Sequence, residues 1–139
     1  MLKKLFSKKE SISLIGEQET DVVLRLMFEI AISDGRLDAA ELELIKKRAR
    51  EIADENEKVS SIIKSIMDET KSSTSLYPTV KKINDTHSME EKIELLNVLW
   101  GLVAADQIID AYEENLYFKI ADLIKVKRSQ ANQIKQKNL

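Results

Sequence analysis

Apolar residues recur along most of this chain at the spacing of amphipathic helices. In the stretch from Val22 to Ala31 they fall at i, i+3 and i+4 positions, and from Ile93 to Val103 they cover most sides of the segment. Similar stripes surround Ile45, Ile66 and Ile120. No segment alternates apolar and polar residues with the period of a strand. The pattern therefore predicts an all-α, single-domain bundle of about seven helices.

The helical pattern is repeated within the chain. The segment VLRLMFEIAISDGRLDAAELELIKKRAREI begins at Val23, and LLNVLWGLVAADQIIDAYEENLYFKIADLI begins at Leu95, 72 residues later. Aligned without a gap, the two segments share identical residues that include the pairs Leu24/Leu96, Asp34/Asp106, Asp38/Asp110, Glu41/Glu113, Leu44/Leu116 and Ala49/Ala121. This similarity predicts an internal duplication of a helix-corner-helix unit with pseudo-two-fold symmetry. Repeat 1 would cover about 21–70, a polar hinge about 70–76, and repeat 2 about 88–137.

Capping residues indicate where several helices begin. Thr20 or Asp21 is a suitable N-cap for the first apolar helix, and Asp38 for the helix that follows. Pro78 suits the first turn of a short helix, and Ser88 with Glu91 has the spacing of a capping box. Side chains predicted to pack in the core include Phe28, Ile52, Tyr77, Val80, Ile83, Val98, Trp100, Leu123, Ala131 and Ile134.

Composition excludes several classes of function. The 139 residues contain 22 Lys and Arg, 24 Asp and Glu, and no cysteine. The small negative net charge argues against sequence-independent nucleic-acid binding, which needs clustered basic charge. The lack of cysteine excludes disulfides and thiolate metal sites, and the absence of a long apolar run predicts a cytoplasmic protein. Membrane contact is expected at most through residues 1–9, MLKKLFSKK, where Leu2, Leu5 and Phe6 lie together at helical spacing among four lysines.

Six acidic residues at the two corners are the candidates for a chemical site: Asp34, Asp38, Glu41, Asp106, Asp110 and Glu113. Within each corner the second Asp and the Glu are three residues apart, on neighbouring positions of one helical turn, and the first Asp faces them across the bend. Oxygen ligands of this kind suit a hard cation such as Ca²⁺ or Mg²⁺. Neither corner is an EF-hand, because the third and twelfth ligand positions counted from Asp34 are Arg36 and Ile45.

Helix capping offers an alternative explanation for the same residues. An N-cap Asp with a Glu three residues later stabilises a helix without any metal, and this accounts for four of the six residues. It does not account for Asp34 and Asp106, because a carboxylate at a helix C-terminus opposes the helix dipole.

The two corner segments resemble the TerB-like family, the tellurite-resistance-associated helical domains, and in particular its small stand-alone members. The resemblance covers about residues 21–124, and its signature is an apolar helix followed by A-x-x-D-G-x-[LI]-D-x-x-E. It implies a bundle of about seven helices, a metal site at the acidic corners, and roles in stress response, tellurite or phage resistance, or beside chaperone and membrane partners. All six acidic residues fit the motif. Gln107 departs from it by replacing the motif glycine, so the second corner is expected to bend differently.

The leading functional hypothesis is a non-enzymatic binding or scaffold module with a protein partner and a divalent cation at the corners. One alternative is an interaction domain without any ligand. The other is a hydrolase that uses the carboxylates with a metal ion, although the sequence offers no other base or nucleophile.

Overall fold

The computed structural model describes residues 21–53, 56–72 and 75–138, and the described residues form seven α-helices without a strand. The helices are α1 (Val22–Ala31), α2 (Ala39–Ile52), α3 (Asn56–Lys71), α4 (Tyr77–Thr86), α5 (Met89–Val103), α6 (Ala111–Leu123) and α7 (Arg128–Lys137). The predicted all-α class is therefore confirmed. The internal duplication remains a prediction. The hypothesis that residues 1–9 contact a membrane lies outside the described residues, and none of the described helices is long and apolar enough to cross one.

Two apolar helices form the centre of the bundle. α1 packs against α2, α3, α4, α5 and α6, and α5 packs against α2, α6 and α7 as well. Phe28 and Trp100 are both buried in the shared core, as predicted. α1 packs against five of the described helices and α5 against four, so each of the two related segments contributes a central helix.

The capping residues act as the sequence predicts. Asp21 Oδ1 accepts a hydrogen bond from the backbone N–H of Leu24 at 2.8 Å and caps α1. Ser88 and Glu91 form a reciprocal capping box at the start of α5. Pro78 lies in the first turn of α4, where its missing N–H leaves no helical hydrogen bond unmade.

Several predicted core positions are wrong. Tyr77 is 68% exposed, and Ile52, Val98 and Leu123 are also exposed. Each lies at the end of a helix or on its outer side, where helical spacing continues beyond the surface that neighbouring helices cover. The core instead includes Arg25, a fully buried cation on α1 that pairs with Glu29 and Glu69.

The last helix is held against the bundle by specific contacts. Ala131 and Ile134 are buried, as predicted. The hydroxyl of Tyr117, in α6, donates a hydrogen bond of 2.9 Å to the carbonyl of Ala131. Arg128 lies 4.3 Å from the ring centroid of Phe118, and α7 is thereby fixed against the second helix-corner-helix segment.

Candidate functional site

The first acidic corner links α1 to α2. Asp34 Oδ1 accepts a hydrogen bond of 3.0 Å from the backbone N–H of Arg36, which closes a tight turn. Asp38 is the N-cap of α2, and its Oδ1 accepts from the backbone N–H groups of Ala40 at 2.7 Å and Glu41 at 3.4 Å. The two aspartates therefore have structural roles in the turn and the cap.

The second corner, between α5 and α6, has matching hydrogen bonds. Asp106 Oδ1 accepts from the N–H of Ile108 at 3.0 Å. Asp110 is the N-cap of α6, and its Oδ1 accepts from the N–H groups of Tyr112 at 2.8 Å and Glu113 at 3.2 Å.

The expectation that the second corner bends differently is wrong. Gly35 has a φ of 89°, and Gln107 at the corresponding position has a φ of 65°, so both residues take the left-handed conformation. Their backbone N–H groups donate in the same way, from Gly35 to Ile32 at 2.9 Å and from Gln107 to Ala104 at 3.1 Å. A glutamine can adopt this conformation at an energetic cost that glycine avoids, so the missing glycine changes the stability of the corner and not its path.

Both corners face a single cavity of about 300 Å³. The structure brings all six predicted residues together at this cavity, whose lining comprises Asp34, Arg36, Leu37, Asp38, Glu41, Asp106, Ile108, Asp110 and Glu113. The sequence identifies the acidic members of this set. It does not identify Arg36, Leu37 or Ile108, because their presence depends on how the two corners pack.

The floor of the cavity contains a pair of glutamates, one from each corner. Glu41 is 3% exposed and Glu113 is 4% exposed, and the two carboxyl groups are hydrogen-bonded to each other. Burial raises the pKa of both groups, because desolvation penalises the charged form. The pKa of Glu113 is raised to about 9, by burial first and then by its hydrogen bond to Glu41. The raised pKa values favour retention of a proton by the pair near neutral pH.

The interactions of Glu41 and Glu113 differ, although the two residues occupy corresponding positions in the two corners. The pKa of Glu41 is raised chiefly by burial and is lowered in part by hydrogen bonds to Glu113 and to the backbone of Asp38. The pKa of Glu113 is raised first by burial, then by the hydrogen bond to Glu41, and then by the negative charges of Asp34 and Asp110. Asp110 therefore keeps its cap on the N–H of Glu113, while the Glu113 side chain contacts Glu41 of the other corner.

Capping leaves part of each aspartate available to a ligand. In all four aspartates Oδ1 makes the hydrogen bonds, and Oδ2 makes none to any residue that the structure describes. The donor set is entirely oxygen, which matches the preference of Ca²⁺ and Mg²⁺. In the ranges 21–53, 56–72 and 75–138, no three such side chains are already arranged to hold a metal ion. Coordination would therefore require side-chain rotation within the cavity.

The comparisons with known proteins give one family. The family model described as tellurite resistance protein TerB matches residues 50–136, which is more than half of the chain. No curated protein matches the chain, and no solved structure does. The matched range includes the second corner and excludes the first. It begins and ends later than the range of about residues 21–124 over which the corner segments resemble the family. With its all-helical bundle and this match, the chain belongs to the TerB family of tellurite resistance proteins.

Proposed function

We propose that this TerB domain is a binding module that takes up a divalent cation, Ca²⁺ or Mg²⁺, between its two acidic corners. The observation that supports the proposal is that all six acidic residues line one cavity, although they come from segments far apart in sequence. Asp34, Asp38, Asp106 and Asp110 would supply their Oδ2 atoms, and the buried glutamates would supply carboxylate oxygens from below. Such oxygen ligands suit both cations.

Cation binding would have to displace the proton shared by Glu41 and Glu113. A carboxylate coordinates a metal in its ionised form, so the proton leaves as the cation enters. The apparent affinity should consequently increase with pH toward the pKa of Glu113, which is raised to about 9. The domain would then be better occupied at slightly alkaline pH than at slightly acidic pH.

A protein-interaction domain without a ligand is the second candidate. It is favoured by the hydrogen bonds between all four aspartates and backbone N–H groups. These bonds give the aspartates a structural role that does not require a cation. The two candidates differ in what they predict for the charge of Asp34 and Asp106. Only the cation site needs that charge.

We regard a non-catalytic role as better supported than hydrolysis. The cavity lining contains carboxylates, one arginine and two aliphatic residues, and among these lining residues no serine, histidine or lysine is available as a nucleophile or base. The biological setting that we propose is a cytoplasmic stress or tellurite-resistance response with a protein partner, in keeping with the family.

Thermal unfolding followed by circular dichroism tests the cation site. The protein is measured in EDTA and then with Ca²⁺ or Mg²⁺ at constant ionic strength. A cation present at about 100 times its dissociation constant stabilises the native state by roughly 2.7 kcal/mol. For a domain of this size that corresponds to an increase in Tm of roughly 10 °C.

The decisive variant combines Asp34→Asn with Asp106→Asn. Asparagine keeps the Oδ1 acceptor of each turn and removes the charge, so the apo protein should be as stable as the wild type or slightly more stable. The matched control is Asp68→Asn with Asp122→Asn, which removes the same charge from exposed helical positions. The proposal requires the cation-dependent increase in Tm to disappear in the first variant and persist in the control. An unchanged Tm with either cation in the wild type would leave the interaction domain as the explanation.

A further inference from the structure

The second corner exposes large apolar side chains beside the acidic cavity. Ile108 is 72% exposed and Tyr112 is 68% exposed, and Ile109 between them is also exposed. We call these three residues the apolar lip. Ile108 itself lines the cavity, and Tyr112 lies in the first turn of α6, where its backbone N–H donates to Asp110. Single exposed apolar residues are common. Three of them close together in the chain and beside a charged cavity form an apolar patch that is in contact with water when no partner is bound.

The first corner provides an internal comparison. Arg36 stands at the position that corresponds to Ile108, and Ala40 at the position that corresponds to Tyr112. The two turns have the same hydrogen bonds, so the local backbone accepts a charged residue and a small residue equally well. The apolar side chains of the second corner are therefore not required by its conformation.

The charge of the neighbouring cavity defines what could cover the lip. Six carboxyl groups line the cavity, and Arg36 is the single cationic side chain among the lining residues. A partner that covered the lip with an acidic segment would bring like charges together, which costs binding free energy. A segment with lysine or arginine residues beside leucine, isoleucine or phenylalanine would satisfy both surfaces.

We propose that the apolar lip and the acidic cavity together form a docking site for a basic amphipathic segment of a partner protein. The apolar side chains of the segment cover Ile108, Ile109 and Tyr112, and its cationic side chains face the corner carboxylates. Amphipathic helices commonly bind in this way, with apolar anchors giving affinity and charges giving orientation. The inference does not depend on the divalent cation, because its test is made in EDTA.

The probe is a fluorescein-labelled peptide of roughly 18 residues, with leucine and lysine placed at amphipathic helical spacing. Its binding to the full chain is measured by fluorescence anisotropy at about 50 mM and about 300 mM NaCl. We expect saturable binding that weakens at the higher salt concentration. A second peptide with glutamate in place of lysine should bind at least about tenfold more weakly, because the cavity repels it.

The protein variants distinguish specific peptide binding at the apolar lip from non-specific adsorption to the protein surface. Ile108→Ala with Tyr112→Ala should weaken peptide binding about tenfold or more, since buried aromatic anchors dominate such interfaces. Tyr77→Ala is the matched control, because Tyr77 is also a tyrosine with 68% exposure in the first turn of a helix. It should change the affinity less than about twofold. All three residues are exposed, so the fold should be retained, which circular dichroism verifies.

Each contrary result would overturn the proposal. The absence of saturable binding up to roughly 1 mM peptide would do so, because a functional docking site should be at least that strong. Equal losses in the lip variant and in Tyr77→Ala would mean non-specific contact. Concentration-dependent dimerisation without peptide that the lip variant abolishes would identify a second copy as the occupant. Binding to vesicles of phosphatidylcholine and phosphatidylglycerol that the lip variant abolishes would identify a membrane instead.

Discussion

Replacement of Glu113 by glutamine tests whether the buried glutamate pair shares a proton. Glutamine has nearly the same shape as a protonated glutamate, and its amide N–H can donate to Glu41 where the carboxyl O–H donates in the wild type. Glu113→Gln therefore keeps the contact between the corners and removes the group that titrates.

The expected magnitude follows from proton linkage. In the unfolded chain a glutamate has a pKa of about 4.3, whereas in the folded protein the pKa of Glu113 is raised to about 9. Between these values the folded state holds a proton that the unfolded state has lost. The stability associated with this proton is fully present below the unfolded pKa and is lost as the pH rises toward the folded pKa. The loss is at most about 1.4 kcal/mol per pH unit, or about 2.7 kcal/mol from pH 6 to pH 8.

Urea unfolding followed by circular dichroism, in EDTA at pH 6, 7 and 8, measures this loss. The free energy of unfolding of the wild type should fall with increasing pH, and that of Glu113→Gln should fall less, by up to about 2.7 kcal/mol over the two units. At pH 8 the variant should be the more stable protein. Glu94→Gln, at an exposed position of α5, controls for the loss of one glutamate and should follow the wild type. Titrating groups other than Glu41, whose pKa depends on its contact with Glu113, act equally in all three proteins and cancel in the comparison.

Two results would refute the reasoning. Parallel pH dependence in the wild type and Glu113→Gln would mean that Glu113 holds no extra proton in the folded state. A variant that is less stable than the wild type at pH 8 would mean that the ionised carboxylate makes a stabilising contact there, for example with a cation that EDTA fails to remove.

Three further substitutions test the fold by urea unfolding, each compared with the wild type. Gln107→Gly should stabilise the protein by about 0.5 to 1 kcal/mol because glycine adopts the left-handed conformation without strain, and a loss of stability would mean that the glutamine side chain is needed. Tyr117→Phe should destabilise it by about 1 to 3 kcal/mol because the buried carbonyl of Ala131 loses its donor, and no change would mean that water replaces the hydroxyl. Arg25→Ala should destabilise it by more than about 2 kcal/mol through the cavity that it leaves and the loss of the ion pair with Glu69, and a neutral result would mean that the core closes over the site.

Much of the helical architecture follows from local sequence. Asp21, Asp38, Ser88 and Asp110 each cap the helix that follows, and each does so through a backbone N–H two or three residues away. Interactions of this range are present in the sequence pattern itself, because a helix start depends on a few consecutive residues. The same holds for the turn that Asp34 closes, where the relevant N–H is only two residues along the chain.

The sequence was less informative wherever an outcome depended on which surface a neighbour covers. Tyr77 and Tyr117 both lie on apolar stripes, yet Tyr77 is exposed and Tyr117 is completely buried. Helical periodicity gives the direction of a side chain from its own axis and not the position of the next helix. For the same reason the pattern did not identify Arg25 as a core residue.

The candidate site also depends partly on local sequence and partly on tertiary packing. The sequence determined which residues are acidic, their order within each corner and their local roles as caps. Only the tertiary structure decided that two corners 72 residues apart face one cavity, that Glu41 and Glu113 are buried against each other there, and that Ile108 is exposed at the rim. A cap is fixed by atoms within one turn of the chain, whereas a pKa shift and a cavity arise from desolvation and charges brought together through space.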